Sequence, residues 1–489
     1  EQLTTDQQVA GSNPVWRTPE PRGQRWYAPV AQRIRAADYG SAGRRFESCL
    51  AHDKASEAKC LRGFSNSRYI PPLRWVRFVF AGSEEGETVI LAQHAPYDFD
   101  TILERHGSSS AKWHEVVEQM GEDGKDVVPL SVADMEFKPA PEVVEALIQS
   151  ATHDVFGYDY ATEDYFTAFL NWMEHRHNFH IDPSWVSLSD GVMPAVNTAL
   201  RSVTRPGDKV IIQRPVYYPF TFAAEHNGLT ILDNELVLDE NGHYGIDFDD
   251  LESKAADPRC TAMILCNPHN PVGRVWTPEE LRRIGDICIK RRVRLLCDEI
   301  HADFSYLGHK VTMFSTLGAE YANIVFEFTA PTKTFNLAGL LCSNTIIPNP
   351  HLKRRYDAAA DNIGGLTVNH FGMVACQAAY NHAEPWLDAL MEVLERNLGL
   401  IRDFTARVSG IRLIEPEGTY LAWLDCRGLG FDTPEELCDF LRNEARVWFD
   451  EGSMFGESGN FFERVNLACP TRLLEQVLAN IETALADRQ

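Results

Sequence analysis

The sequence predicts an α/β protein, with a largely parallel sheet covered by helices on both faces and then a smaller α/β domain. Three observations carry that prediction. Apolar runs such as "TAMILC" (261–266), "VRLLCD" (293–298) and "IVFEFT" (324–329) read as buried strands. Amphipathic segments lie between them, and strand–helix alternation is the pattern of a parallel sheet with both faces covered. After about residue 384 the texture shifts to long helices and short strands. A chain of 489 residues has room for two or more domains.

Taken in order, residues 1–96 differ from the rest. They hold 13 Lys+Arg against 10 Asp+Glu, which leaves 33 against 60 for the remainder, and the first methionine of the chain is Met120. The fragments "GSNP" (11–14) and "RFES" (45–48) can both be read, in two frames, from the string GGTTCGAATCC, which resembles the T-arm of a transfer RNA gene. The expectation is that residues 1–96 are a non-native stretch, translated from an upstream start. The alternative is a genuine, poorly ordered N-terminal extension. No function is assigned to this segment.

From "YDFDTILERH" (97–106) hydrophobic runs and punctuation become regular, and residues 97–144 are expected to pack with the small domain. Residues 145–383 form the expected large domain. "KVIIQRPVYYPF" (209–220) reads as a strand and loop, and "TAMILCNPHNPVG" (261–273) as a strand running into an Asn/Pro/Gly turn. The helix "TPEELRRIGDICIKRR" (277–292) opens on an N-cap threonine, a proline at the first helical position and Glu280 closing a capping box. "TPEELCDFLRNEARVWF" (433–449) repeats that opening inside the small domain, 384–489.

Composition narrows the function classes. A net charge of −24 argues against nucleic acid as a partner. No stretch is apolar enough for long enough to span a membrane, and no secretory signal is evident. The 11 cysteines include no CxxC pair and read as reduced thiols of a cytoplasmic protein.

Ligands of parallel sheets gather at strand ends, and five features fall there. Lys333 is a single amine between an apolar strand and a turn. Asp298 closes an apolar strand, where an acid is costly unless it meets a cation. Gly191 and Val192 begin a helix, a start that suits phosphate but is by itself often just a turn. Tyr217 suits stacking on a flat ring, although by itself an aromatic there is more often a core residue. Asn270 is a donor or an ordinary turn residue. Pyridoxal 5′-phosphate needs all five together: an amine for its aldehyde, an acid for its ring nitrogen, an aromatic face, a phosphate cradle and a donor to its phenolic oxygen.

The motifs "CNPHNPVG", "CDEIHADF" and "APTKTFNLAGL", in this order, resemble those of fold-type I pyridoxal-phosphate enzymes of the aminotransferase class I/II superfamily, from about residue 97 to the end. "PLSVADMEFKPAPEVVEAL" (129–147), "FGYDY" (156–160) and "DEIHADF" (298–304) are similar to the cystathionine β-lyase, or C–S β-lyase, branch. The resemblance implies a large domain with a mostly parallel seven-stranded sheet and a smaller C-terminal α/β domain. It implies Lys333 as the Schiff-base lysine and base, Asp298 as partner of the ring nitrogen, and Asn270 and His301 near the phenolic oxygen. Tyr217 would stack on the ring, and Gly191 and Val192 would hold the phosphate. Arg464 would clamp the substrate carboxylate. Tyr158 would reach the phosphate of a neighbouring subunit, so a homodimer is implied. Ala330 departs from the serine often found three residues before the lysine, so one phosphate hydrogen bond is lost or supplied elsewhere. The implied reaction is β-elimination from L-cystathionine or a related cysteine S-conjugate, giving a thiol, pyruvate and ammonia. Transamination is the alternative, because it uses the same residues, and a non-enzymatic binding role is the third. The matched motifs hold no second arginine placed for a dicarboxylic substrate.

Overall fold

The apolar runs become strands of a seven-stranded sheet in the computed structural model, which describes residues 97–488 apart from Asp154 and Leu307. The expectation for residues 1–96 lies outside the described residues. After a two-residue strand, β1 (Val128–Pro129), come β2 (Val186–Ser189), β3 (Lys209–Ile212) and β4 (Thr230–Asp233). A hairpin, β5 (Leu236–Leu238) and β6 (Tyr244–Ile246), precedes β7 (Cys260–Cys266), β8 (Arg294–Asp298), β9 (Val325–Thr329) and β10 (Ser343–Ile346). The large sheet has the order β2-β10-β9-β8-β7-β3-β4. Only β10 runs against its neighbours, so β2 points the same way as β9. The chain moves one way from β3 to β4 and the other way from β7 through β9. That reversal is the place where parallel sheets open a crevice at their strand ends.

Both faces of this sheet are covered, as the continuous apolar strands require. On one face Val210, Ile212, Ala262, Ile264, Leu296 and Phe326 pack with Val196, Ala199 and Leu200 of the helix Val192–Val203. The alternate residues Ile211, Met263, Leu265, Leu295 and Val325 pack with Leu281, Ile284 and Ile287 of the helix Pro278–Arg291. The period of two sends neighbours to opposite sides. Burial of each such side chain contributes about 1.5–3 kcal/mol. The second helix is delimited locally. Thr277 and Glu280 form the capping box, and Arg292 ends the helix in the left-handed region. The Asn/Pro/Gly turn after β7 needs its glycine. Gly273 has φ +75°, and a Cβ there would meet Pro416 at 2.8 Å.

A second, antiparallel sheet follows the helix Glu384–Arg407. Its strands β11 (Arg412–Ile414), β12 (Leu421–Asp425), β14 (Asp450–Glu451) and β15 (Phe462–Asn466) lie in the order β11-β12-β15-β14. The short strand between them, β13 (Val447–Trp448), pairs in parallel with β1. Hydrogen bonds from Leu130 N–H to the Trp448 carbonyl and from Asn466 N–H to the Leu130 carbonyl carry segment 130–136 along this sheet. Among the described residues no helix is long and apolar enough to cross a membrane.

Candidate active site

Lys333 leaves the end of β9 in a single helical turn, Pro331–Thr334, rather than in an open loop. Ala330 is its extended N-cap, and Pro331 takes the first position, where no N–H is needed. Thr334 ties the turn down by donating to Asp303 Oδ2 at 2.6 Å, and Asp303 also holds His177 at 2.9 Å. The Lys333 amine donates to the carbonyl of Ala133 at 2.5 Å. Burial, then the nearby Arg464 cation, brings its pKa down to about 8.

Asp298 ends β8, beside Cys266 of β7. Burial pushes its carboxyl up to about 6, against the Ile300 N–H it accepts and the attraction of Lys333. His301, one turn on, is 3% exposed, and its Nδ1 has no partner. Burial, followed by the charges of Lys333 and Arg464, holds it well below the usual range, so it is neutral. Its ring lies edge-on to Tyr420, 5.6 Å between centres, and the Tyr420 hydroxyl donates to the same Ala133 carbonyl as Lys333.

Asn270 sits in the turn after β7, and its Oδ1 accepts from Arg464 Nη1 at 2.9 Å. Its carbonyl accepts from the N–H of Tyr217, which fixes that tyrosine on the adjacent loop. Burial raises the Tyr217 hydroxyl pKa, with smaller effects from Tyr218 and Asp298. Arg464 is carried by β15, and its guanidinium stands 4.8 Å from the Phe455 ring centre. Nη2 is paired with Asp450, while Nε is buried with no partner.

Gly191 caps the helix Val192–Val203 without a side-chain hydrogen bond. Its φ of +145° is a conformation that glycine supplies. The first N–H groups of a helix lack intrahelical partners, so this start offers donors at the strand-end edge. Topology, rather than a contact, sets Gly191 and Val192 on the edge shared by Asn270, Asp298 and Lys333. Tyr158 is not brought to this cleft within the chain; it is fully exposed, in an exposed run with Val155, Phe156 and Tyr160.

Several residues at the cleft were not singled out from the sequence. Ala133 contributes a backbone carbonyl, which no side-chain motif announces. Segment 132–136 is held there by Asn466, which donates to the carbonyls of Val132 and Asp134, and by Asn336, which donates to those of Met135 and Phe137. Lys112, fully buried, pairs with Asp134 at 2.8 Å and Glu136 at 2.7 Å, and Arg105 pairs with both acids too. Asp450 carried one readable signal, an acid inside the apolar run "VWFDEG".

The cleft therefore holds a buried acid above its ordinary pKa, an amine below its own, and partnerless atoms on His301 and Arg464. A ligand with a cationic ring nitrogen, a carbonyl carbon for the amine and an anionic end would relieve these groups, and pyridoxal phosphate has those features.

Known proteins bear on this arrangement. The family described as "Aminotransferase class I and II" matches residues 125–481. The chain is 38% identical to the cystathionine beta-lyase PatB of Bacillus subtilis over 393 residues, covering 80% of this chain and 100% of that one. It is 33% identical to the protein MalY of Escherichia coli, covering 80% and 99%. Its structure superposes on that of cystalysin from Treponema denticola, which contains a pyridoxal 5′-phosphate cofactor. There the TM-score is 0.78 and the identity 40%, over 80% of this chain and all of that one.

Proposed function

The chain belongs to the aminotransferase class I and II family, and from that premise we propose that it is a pyridoxal-phosphate-dependent carbon–sulfur β-lyase of the cystathionine β-lyase type. The strand-end cleft, with a depressed amine, an elevated acid and a buried arginine, supports the cofactor chemistry, and the observation that carries the lyase reading over transamination is the likeness to PatB and cystalysin along the whole length of those chains.

Bound pyridoxal phosphate supplies an electron sink conjugated to the substrate Cα, so that a Cα proton and then a thiolate on Cβ can leave. The chain's own residues do the rest. Asp298 keeps a proton on the ring nitrogen by offering a carboxylate in a water-poor pocket. Lys333 holds the cofactor and then takes the Cα proton, since a pKa of about 8 leaves an appreciable neutral fraction near physiological pH. Arg464 binds the α-carboxylate through charge-assisted hydrogen bonds, steadied by Asn270. Tyr217 would cover one face of the ring, His301, being neutral, would stand near the phenolic oxygen without adding charge, and the N–H groups of Gly191 and Val192 would hold the phosphate. With L-cystathionine and water the products are homocysteine, pyruvate and ammonia.

We also propose a homodimer in which Tyr158 reaches the partner's site. An exposed run of Val155, Phe156, Tyr158 and Tyr160 is the kind of surface that subunit contact covers. We propose the division into 97–144, 145–383 and 384–489, which the two sheets and the β1–β13 tie between the first and last segments support. A cytoplasmic setting accords with the cysteines of the described residues, all buried and none in a disulfide.

The test is incubation of the holoenzyme with L-cystathionine, following pyruvate with and without a keto acid. Pyruvate release without an acceptor is expected. Turnover only when an acceptor is present, giving the 2-oxo acid of cystathionine in place of pyruvate, or glutamate as the best donor, would replace the lyase with an aminotransferase.

A further inference from the structure

Arg464 does not stand alone in the cleft. Asp450 on β14 lies directly opposite it on β15, and cross-strand partners in an antiparallel pair share a face. Asp450 is 7% exposed and its Oδ2 accepts from Arg464 Nη2. Nη1 goes to Asn270. Two arms of the fork are thus engaged before any substrate arrives, and the Nε–H is left buried without a partner. The pair faces the tyrosine side of the cleft. Burial disfavours ionisation of the Tyr217 and Tyr218 hydroxyls first, and Asp450 adds to that effect on both.

The charge balance follows. The guanidinium and the Asp450 carboxylate sum to zero. An amino acid brings its α-carboxylate, which leaves one excess negative charge around a single guanidinium. A second carboxylate with no ammonium of its own, unlike the zwitterionic far end of cystathionine, would make the excess two, in a pocket where like charges are poorly screened. Arg214, a cation on the adjoining loop, is committed to Asp233 and Thr221. A neutral thioether meets no such cost.

We propose that Asp450 is a specificity-determining residue: by holding one arm of Arg464 it admits amino acids whose side chain has no net charge, the zwitterionic far end of cystathionine included, and rejects those whose side chain is a net anion. The proposal deepens the lyase reading and rests on it only for the choice of thioether substrates.

The experiment compares S-methyl-L-cysteine with S-carboxymethyl-L-cysteine in the wild-type holoenzyme, Asp450→Asn and Asp450→Glu. The readout is the ratio of kcat/KM values, anionic over neutral, from pyruvate release. Asp450→Asn keeps the shape and an acceptor oxygen for Arg464, and should raise the ratio by about ten- to hundredfold. Asp450→Glu retains the charge and should keep the ratio within about threefold of wild type. A loss of packing alone would lower both substrates together and leave the ratio unmoved. A ratio unchanged in Asp450→Asn overturns the proposal. A second measurement needs no variant and no turnover: titration of the wild-type holoenzyme with each amino acid, read from the cofactor's absorption. Binding of the anionic thioether as tight as that of the neutral one also overturns it. If wild type releases no pyruvate from either compound while the titration still discriminates by charge, the lyase reading fails and the role of Asp450 stands.

Discussion

At the ends of the parallel strands, Asp298, His301 and Lys333 are buried with fewer partners than their polarity demands. On the side supplied by segment 130–136 and the antiparallel sheet, charges satisfy one another. Lys112 pairs with Asp134 and Glu136, and Arg105 joins the same acids; Arg464, paired with Asp450 but with its Nε partnerless, belongs with the first group. The two regions touch where the Lys333 amine meets the Ala133 carbonyl. The contrast separates two uses of buried charge. Unpaired groups lose stability that a ligand restores, whereas paired groups hold a backbone in place. It follows that changes on the first side should cost activity and spare or raise stability, and changes on the second should cost stability.

The largest effect should come from Lys333→Ala. Loss of the amine removes both the cofactor anchor and the base, so kcat for pyruvate release should fall by at least about 10³-fold. Thermal unfolding of the apoprotein should be unchanged or slightly raised, because a buried amine with a depressed pKa has been removed. Apoprotein strongly destabilised by this change would erase the contrast.

Lys112→Met should show the opposite signature. It leaves buried Glu136 and half-buried Asp134 with only Arg105 between them, and a broken buried pair costs about 3–5 kcal/mol. Urea unfolding measures it. A cost under about 1 kcal/mol would mean that the cluster does not hold segment 132–136.

Asp298→Asn should stabilise the apoprotein while abolishing turnover. The folded pKa, about 6, lies above the ordinary carboxyl value of 3.8. The ionised form is therefore disfavoured by folding, and stability present below pH 3.8 is lost as pH rises through 6. At pH 8 the loss is about 3 kcal/mol at 1.36 kcal/mol per pK unit. The asparagine avoids it, so the variant's advantage should be full at pH 8 and vanish near pH 4. An advantage independent of pH would point to packing instead.

Arg464→Lys should be the mildest. A point charge replaces the fork, with Asp450 still beside it, so KM should rise and kcat/KM fall by about ten- to hundredfold. A change confined to kcat would place Arg464 away from ground-state carboxylate binding.

The sheet-side residues were legible because each is fixed by its local sequence. Asp298 ends a strand, Lys333 follows one, and Asn270 occupies the turn that Gly273 permits. The capping box at Thr277 and Glu280 was readable for the same reason: its partners are three residues apart. The other side was not readable in this way. Asn466 contacts segment 132–136 from more than 330 positions away, and the atom offered to Lys333 is a backbone carbonyl with no residue signature. Arg464 was singled out, but its partner was not. Asp450 and Arg464 face each other only once β14 and β15 are in register. Tyr158 stays outside the cleft of a single chain, and its proposed role depends on a second copy.

By itself the sequence determined the alternation of strand and helix, the apolar faces and the strand-end polar residues, because periodicity and capping act over a few residues. Tertiary structure decided how far Asp298 and Lys333 depart from their ordinary pKa values, since burial and the neighbourhood of Arg464 exist only in the folded chain. It also decided that Arg464 enters the cleft already half-neutralised by Asp450. Register between β14 and β15 sets which of their charges meet, and the pattern within either strand alone does not encode it.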